Sequence, residues 1–251
     1  MDPFSLAGRT AVVTGGSRGI GAAIVELFAR HGAAVRYCHV GDEARAAALD
    51  ARLGAEGFSC RGEVCDVADE AAVAGYFADI AATSAPVDIL VNCAGIGGDK
   101  PFAEISVADW DRMIGVHLRG TFLVTRQVFP GMLARGYGRV INFASQLAYK
   151  GAPNLAHYCA AKAGIVGFTR ALSYEGAPHG VLVNAVAPGP VETELLMGLS
   201  DEWLAMKQAQ LPIGRFGQPD EIAPTVLLLA SAAGSYFVGQ TLSPNGGDVM
   251  V

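Results

Sequence analysis

The sequence predicts a doubly wound α/β fold, one parallel sheet with helices on both faces. Three observations predict it. Short β-branched runs alternate with segments of helical apolar spacing from one end of the chain to the other. The first run passes into its helix through a glycine turn. No Pro/Ser-rich linker, charge block or internal repeat divides the 251 residues. Strands that alternate with helices form βαβ units, whose crossovers cover both faces of a parallel sheet. A single domain over 1–251 is therefore expected.

Thr10–Thr14 (TAVVT) reads as the first strand and ends at Gly15 and Gly16. Residues 19–31 follow as a helix, with Ile20, Ala23, Ile24, Leu27 and Phe28 on one face. The alternation then recurs: strand 34–40 and helix 44–53, strand 58–64 and helix 70–82, strand 87–92 and one long helix 107–133. Strand 139–144 precedes helix 155–177, and strands at 181–187 and 240–243 close the pattern. Residues 188–210 read as an irregular or partly helical insert, and a substrate lid is expected around 190–211.

Composition narrows the classes of function. Hydrophobic residues are 51% and charged residues 17%, the reverse of the balance that keeps a chain disordered. With 18 Lys+Arg against 24 Asp+Glu, the net charge of −6 leaves no basic surplus for a phosphate backbone, so nucleic acid is not an expected partner. Cys38, Cys60, Cys65, Cys93 and Cys159 contain no C-x-x-C pair, so neither a disulfide framework nor a zinc site is expected, and five buried thiols in a reducing compartment are. The first five residues lack a basic segment leading into an apolar run, so no signal peptide is read there. The apolar stretch 222–239 is interrupted by Pro224, Ser231, Gly234 and Ser235 and is not expected to span a bilayer. A cytoplasmic protein with no membrane partner follows.

In Thr14-Gly15-Gly16-Ser17-Arg18-Gly19-Ile20-Gly21 the glycines lie where a strand becomes a helix. They let the backbone approach a pyrophosphate and direct helix N–H groups toward it. Two further segments, Cys65-Asp66-Val67 and Asn92-Cys93-Ala94-Gly95, fall at the C-terminal ends of later strands, where open α/β sheets bind ligands. The second strand ends in Arg36-Tyr37-Cys38-His39-Val40 without the carboxylate that grips a ribose 2′-hydroxyl. With Arg18 in the glycine loop, a 2′-phosphate would meet a cation, which favours NADP(H) over NAD(H). The alternative is that Arg18 is solvated, Asp42 turns in, and NAD is accepted.

Ser145 follows the fifth strand, and Tyr158 and Lys162 lie one helical turn apart and can share a face. A nearby ammonium stabilises a phenolate, so Tyr158 is expected to have a lowered pKa and to exchange a proton with an alcohol or carbonyl. A Tyr-x-x-x-Lys pair alone is usually a surface pair, and its company with the glycine turn gives it meaning.

Taken together, these residues resemble the short-chain dehydrogenase/reductase family. The resemblance rests on TGxxxGIG at 14–21, Asp66-Val67, N-x-A-G at 92–95, Ser145 before Tyr158-x-x-x-Lys162, Pro188-Gly189 with Thr193, and the ending Gly214-Arg215-Phe216-Gly217 with Gly246-Gly247. It implies a Rossmann-type fold with Ser145, Tyr158 and Lys162 catalytic. It also implies cofactor contacts at Gly15, Ser17, Arg18, Gly19, Ile20 and Gly21 and at His39 and Val67. Asp66 would contact the adenine, and Asn92, Ala94 and Gly95 would lie beside the adenosine ribose. Tyr158 and Lys162 would hold the nicotinamide ribose, Val191 and Thr193 would bind the carboxamide, and Pro188 and Gly189 would also contact the cofactor. The family's helix Asn is replaced by His117, whose imidazole can hold a water or relay a proton, or can simply be packed while a backbone carbonyl holds the water.

Among relatives, the chain most resembles 3-oxoacyl carrier-protein reductases. A small-molecule carbonyl or alcohol substrate is implied, either an acyl thioester or a small apolar ketone. Against a carrier protein stand the net charge and a rim that would offer Arg135 and Arg139 but His179 in place of an arginine. The pocket would be walled by Leu195, Leu196, Met197, Leu199, Trp203 and Met206 with Gln146, Leu147 and Tyr149, although near-helical spacing in the insert equally suits packing onto the domain. A catalytically silent nucleotide-binding protein and an NAD-linked alcohol dehydrogenase are the rival readings. The resemblance further implies a homotetramer, and a tail 247–251 that reaches a neighbour's site or frays.

Overall fold

The strands that form the middle of the sheet are apolar on both faces, and the structure shows why. In the computed structural model, which describes residues 2–250, the strands are β1 (Thr10–Thr14), β2 (Ala34–His39), β3 (Cys60–Val64), β4 (Ile89–Asn92), β5 (Gly138–Phe143), β6 (Val181–Val186) and β7 (Thr241–Leu242). They pair in parallel in the order β3-β2-β1-β4-β5-β6-β7, the doubly wound arrangement expected. Alternate residues go to opposite faces. Val13, Val35, Val91 and Ile141 pack beneath α1 (Gly19–Arg30) and α2 (Glu43–Ala55). Val12, Leu90, Val140 and Val183 pack beneath α3 (Glu70–Thr83) and the long helical segment that follows β4.

That long segment differs from the single helix expected over 107–133. It consists of α4 (Val107–Ile114), a π turn at Gly115–Arg119, and α5 (Gly120–Arg135). A π turn carries one residue more than an α turn and leaves a carbonyl without its regular partner. Here the carbonyl of His117 accepts a hydrogen bond from Thr121 Oγ1 at 2.7 Å. Downstream lie α6 (Leu147–Lys150), α7 (Ala156–Gly176), and two helices in the insert, α8 (Glu194–Met197) and α9 (Asp201–Gln210).

The apolar stretch that was read only for membrane crossing contributes to α10 (Pro219–Ala230). A capping box between Gln218 and Glu221 starts this helix, with Pro219 in the first turn where its missing N–H costs nothing. Its buried Ile222, Val226 and Leu229 complete the layer over α1. No helix of the described residues is long and apolar enough to cross a membrane. The cysteines are free, but only Cys38 and Cys65 are buried; Cys60, Cys93 and Cys159 are half-buried, short of the full burial expected. Met1 and Val251, the outer ends of the leader and tail segments considered above, lie outside the described residues.

Candidate active site

The C-terminal ends of β1, β2, β4, β5 and β6 open into a groove of about 2000 Å³. Its floor at one end is the turn between β1 and α1. Gly15 has φ +70°, and a Cβ there would lie 2.9 Å from Ala94 Cα; a Cβ on Gly21 would fall 2.0 Å from the Gly15 carbonyl oxygen. Only glycine permits this packing. Thr14 Oγ1 accepts hydrogen bonds from Cys93 N and Ala94 N, both at 3.0 Å, which ties the β1 turn to the β4 turn. Arg18, the residue before α1, makes no side-chain cap, so the first N–H groups of a 12-residue helix remain free for an anion. A dinucleotide pyrophosphate therefore fits this cradle.

Every cofactor position expected from the sequence, from Gly15 to Thr193, lines the groove except Asn92. The Asn92 side chain is buried and points the other way, its Nδ2 donating to Thr125 Oγ1 at 2.9 Å and to Asn142 Oδ1 at 2.8 Å. Asn142 in turn donates to Thr169 Oγ1 at 2.9 Å. Asn92 thus stitches β4 and β5 to α5 and α7, because a strand-end side chain alternates to the face its position dictates.

The end of β2 is not free of carboxylates. Asp42 accepts from Ser17 Oγ at 2.9 Å and lies 3.3 Å from Arg18 Nε. Arg18 Nη1 also reaches Glu194 at 3.0 Å, and Arg45 reaches the same carboxylate at 2.5 Å. The hydrogen bond from Arg45 holds the Glu194 carboxyl below its ordinary pKa. Arg18 therefore lines the groove at the adenosine end, and through Glu194 both it and Arg45 are tied to the first helix of the insert. Asp42 does turn in, as the alternative sequence reading allowed, whereas Arg45 was not singled out by the sequence.

At the other end, Ser145, Tyr158 and Lys162 line the groove together. Ser145 Oγ accepts from Leu147 N at 3.1 Å, which leaves its own hydrogen free to donate. Lys162 Nζ donates to the Phe143 carbonyl at 2.6 Å and lies 5.6 Å from the centre of the Tyr158 ring. Burial pushes the Tyr158 phenol above its usual pKa, while the Ser145 hydrogen bond pulls it down. The shift is upward, contrary to the lowering expected from a neighbouring ammonium. Burial also lowers the Lys162 pKa to about 8.

His117 stands edge-on to Tyr158, with ring centres 5.3 Å apart. Its Nε2 lies 3.2 Å from Ile96 N and 2.9 Å from Ile96 O, and its Nδ1 is buried without a partner. Burial, and secondarily Lys162, lowers its pKa to about 3, so the ring is neutral across the working range.

Of the expected wall, Leu195, Leu196, Leu199, Trp203, Met206, Gln146 and Leu147 line the groove, whereas Met197 and Tyr149 do not. Leu195 and Met206 are more than half exposed or close to it, at 58% and 50%, so they face open groove instead of packing onto the domain. Arg135 and Arg139 do not form a rim. Arg135 donates to the Val87 carbonyl at 2.6 Å and Arg139 is buried at the start of β5, at the opposite edge of the sheet from the groove. His179 ends the turn before β6 and lies at that same edge. The tail contacts its own chain at Asp248. Asp248 folds back beside the groove and accepts hydrogen bonds from Gln146, from Lys150 at 2.8 Å, and from Lys207 at 2.7 Å.

A family model described as enoyl-(acyl carrier protein) reductase matches residues 15–248. The chain is 42% identical to the acetoacetyl-CoA reductase of Allochromatium vinosum over 240 residues, covering 95% of this chain and 98% of the relative. The chain belongs to the short-chain dehydrogenase/reductase family. It is also 39% identical to the 3-oxoacyl-[acyl-carrier-protein] reductase of Aquifex aeolicus over 244 residues, 97% of this chain and 98% of the relative. Among solved members of the short-chain dehydrogenase/reductase family, the gluconate 5-dehydrogenase of Burkholderia cenocepacia, in complex with NADP and tartrate, superposes with a TM-score of 0.93 at 36% identity, covering 98% and 97% of the two chains.

Proposed function

We propose that this chain is an NADP(H)-dependent oxidoreductase that interconverts a ketone and a secondary alcohol. The observation that carries the proposal is the meeting of Ser145, Tyr158 and Lys162 at one end of a groove whose other end is a glycine cradle beneath a free helix N-terminus. The named relatives support it: two are reductases of 3-oxo substrates and one structure holds NADP. The matching family model is described as an enoyl reductase, which reduces an alkene, but a hydroxyl pair that donates to one oxygen suits a carbonyl better.

When bound, the nicotinamide supplies a hydride to the carbonyl carbon. The chain supplies the proton and the geometry. Ser145, with its hydrogen free, donates to the carbonyl oxygen and fixes its position. Tyr158, kept neutral by burial, gives its phenolic proton to the same oxygen, so C=O, hydride and proton become CH–OH. Lys162, anchored on the Phe143 carbonyl, places an ammonium beside the phenolate that remains. Arg18, which lines the groove, would meet a ribose 2′-phosphate, and this charge pairing favours NADP(H). His117 is neutral and braces Ile96 and the Tyr158 ring; its proposed part is to position the phenol.

The chain is read as one domain with residues 190–211 as the lid over the substrate. Exposed Phe122 on α5 and Tyr174 on α7 support assembly as a homotetramer through these helices. Free thiols and a reduced nicotinamide cofactor suit the cytoplasm.

The test is NADPH oxidation at 340 nm against ketones and acetoacetyl thioester. Turnover is expected with at least one class. Tyr158→Phe should lower kcat by about a thousandfold with NADPH affinity retained; substantial residual activity would remove Tyr158 from the role of acid.

A further inference from the structure

The cluster around Asp248 is not used by the proton and hydride chemistry, yet it adjoins it. Gln146 directly follows Ser145, and its side chain donates to Asp248. Lys150 closes α6 and donates to Asp248 Oδ1 at 2.8 Å. Lys207, on α9 of the insert, donates to both carboxylate oxygens at 2.7 Å. Gln146, Lys150 and Lys207 all line the groove, while Asp248 stands behind them with a side chain only 6% exposed.

Three features of this cluster point to a missing ligand. The first is charge: among the described residues, two ammonium groups share one carboxylate, so this part of the groove wall carries one surplus positive charge. Lys207, 10% exposed, takes both oxygens of Asp248, so the surplus charge rests on the groove-lining Lys150, whose side chain is 33% exposed. Burial, together with the neighbouring Lys150, draws the Lys207 ammonium below its ordinary pKa despite Asp248. The second is donor capacity: each ammonium has three N–H groups, and Asp248 does not use them all. The third is an orphan. Gln146 is 3% exposed, and its Oε1 is buried with no hydrogen-bond partner among the described residues. An unpaired buried carbonyl calls for a donor such as a hydroxyl.

We propose that Gln146, Lys150 and Lys207, with Asp248 as their brace, form a subsite for the carboxylate and a hydroxyl of the substrate, which is therefore a small hydroxylated keto acid. The inference rests on the ketone and alcohol reading above and adds the substrate class to it. A thioester carries no carboxylate beside its ketone, and a plain apolar ketone would leave the positive wall and the Gln146 oxygen unmet. Asp248 sets the two ammonium groups at a spacing that a second carboxylate can bridge from the groove side. The same brace links α6 beside Ser145 to α9 of the insert, so an acid bound there contacts both walls.

The test compares kcat/KM with NADPH for 4-oxopentanoate and 5-oxohexanoate against their methyl esters, for 5-keto-D-gluconate against D-fructose, and for acetoacetyl-CoA. Alongside, calorimetry reads the binding of tartrate to the protein saturated with NADP+. The wild type should prefer each acid to its neutral partner by at least about tenfold, the scale of one charge-assisted hydrogen bond. In Lys150→Gln that ratio should fall to near one and tartrate binding should weaken about tenfold. Equal use of acids and esters, a ratio unchanged in Lys150→Gln, or a preference for acetoacetyl-CoA over every acid would overturn the proposal. Lys207→Gln adds a second reading wherever its melting curve matches wild type. If it does not, Lys150→Gln decides, since the Lys150 side chain is 33% exposed and not essential to the core. If no ketone is reduced, lysine-dependent tartrate binding still upholds the subsite while the reductase reading falls, and its absence overturns the subsite.

Discussion

The two ends of the groove are built by different means. The phosphate end is made of backbone: glycines at contact distance, a helix N-terminus, and a threonine hydroxyl that ties two turns together. The substrate end is made of side chains brought from four separate stretches, at 145–150, 158–162, 203–207 and 248. A backbone site is specified by local residue type, so every substitution there meets a fixed wall. A side-chain site is specified by tertiary return, so its members can change one at a time and alter what is bound without altering the fold.

This contrast can be broken most sharply at Gly21. A methyl group there would lie 2.0 Å from the Gly15 carbonyl oxygen, so Gly21→Ala should force the turn open. NADPH affinity is expected to fall about a hundredfold, read by fluorescence titration. Near-normal binding would show that the cradle tolerates a Cβ and that the backbone account is wrong.

A smaller effect is expected from a side chain at the same end. Arg18→Ala should reduce the preference for NADPH over NADH by about tenfold, with NADH affinity little changed, because NADH has no 2′-phosphate for the guanidinium to meet. If NADPH binding survives unchanged, the charge argument fails and Asp42 governs the choice.

The mildest perturbation is pH. Burial lowers the Lys162 pKa to about 8, so its ammonium is present below that value and lost as pH rises through it. Tyr158, raised by burial, stays protonated over the same range. The rate of reduction should be flat below pH 8 and fall above it, and a profile that instead rises through pH 8 would assign the controlling ionisation elsewhere. His117, neutral down to about 3, contributes no step near neutrality.

The contrast also explains what could be read from the chain. The strand and helix alternation and the glycine turn were legible because periodicity and residue type act locally. Ser145, Tyr158 and Lys162 were legible because each lies at a strand end or one helical turn from its partner. Asn92 was not, since a strand terminus does not say on which face its side chain finishes. Arg135 and Arg139 were placed on a rim that belongs to the other edge of the sheet, because sequence gives no direction across it. The π turn left no mark in the apolar pattern, and α10 was obscured by its two prolines, Pro219 and Pro224, which hide a helix that begins on a capping box. Asp248 lies 98 residues from Lys150 and 41 from Lys207, and no spacing rule joins them.

The π turn at Gly115–Arg119 sets a rule about length. A helix advances about 100° per residue, so one residue more or fewer within this turn would change the phase of everything on one side of it. Met113, buried at the end of α4, and Leu123, buried on α5, keep their present faces only if the surplus residue is retained. Substitutions in the turn are local events. A single-codon deletion there would make the helix regular and would turn either Met113 out of its packing or His117 away from Tyr158, so the length of this segment is held more tightly than its composition.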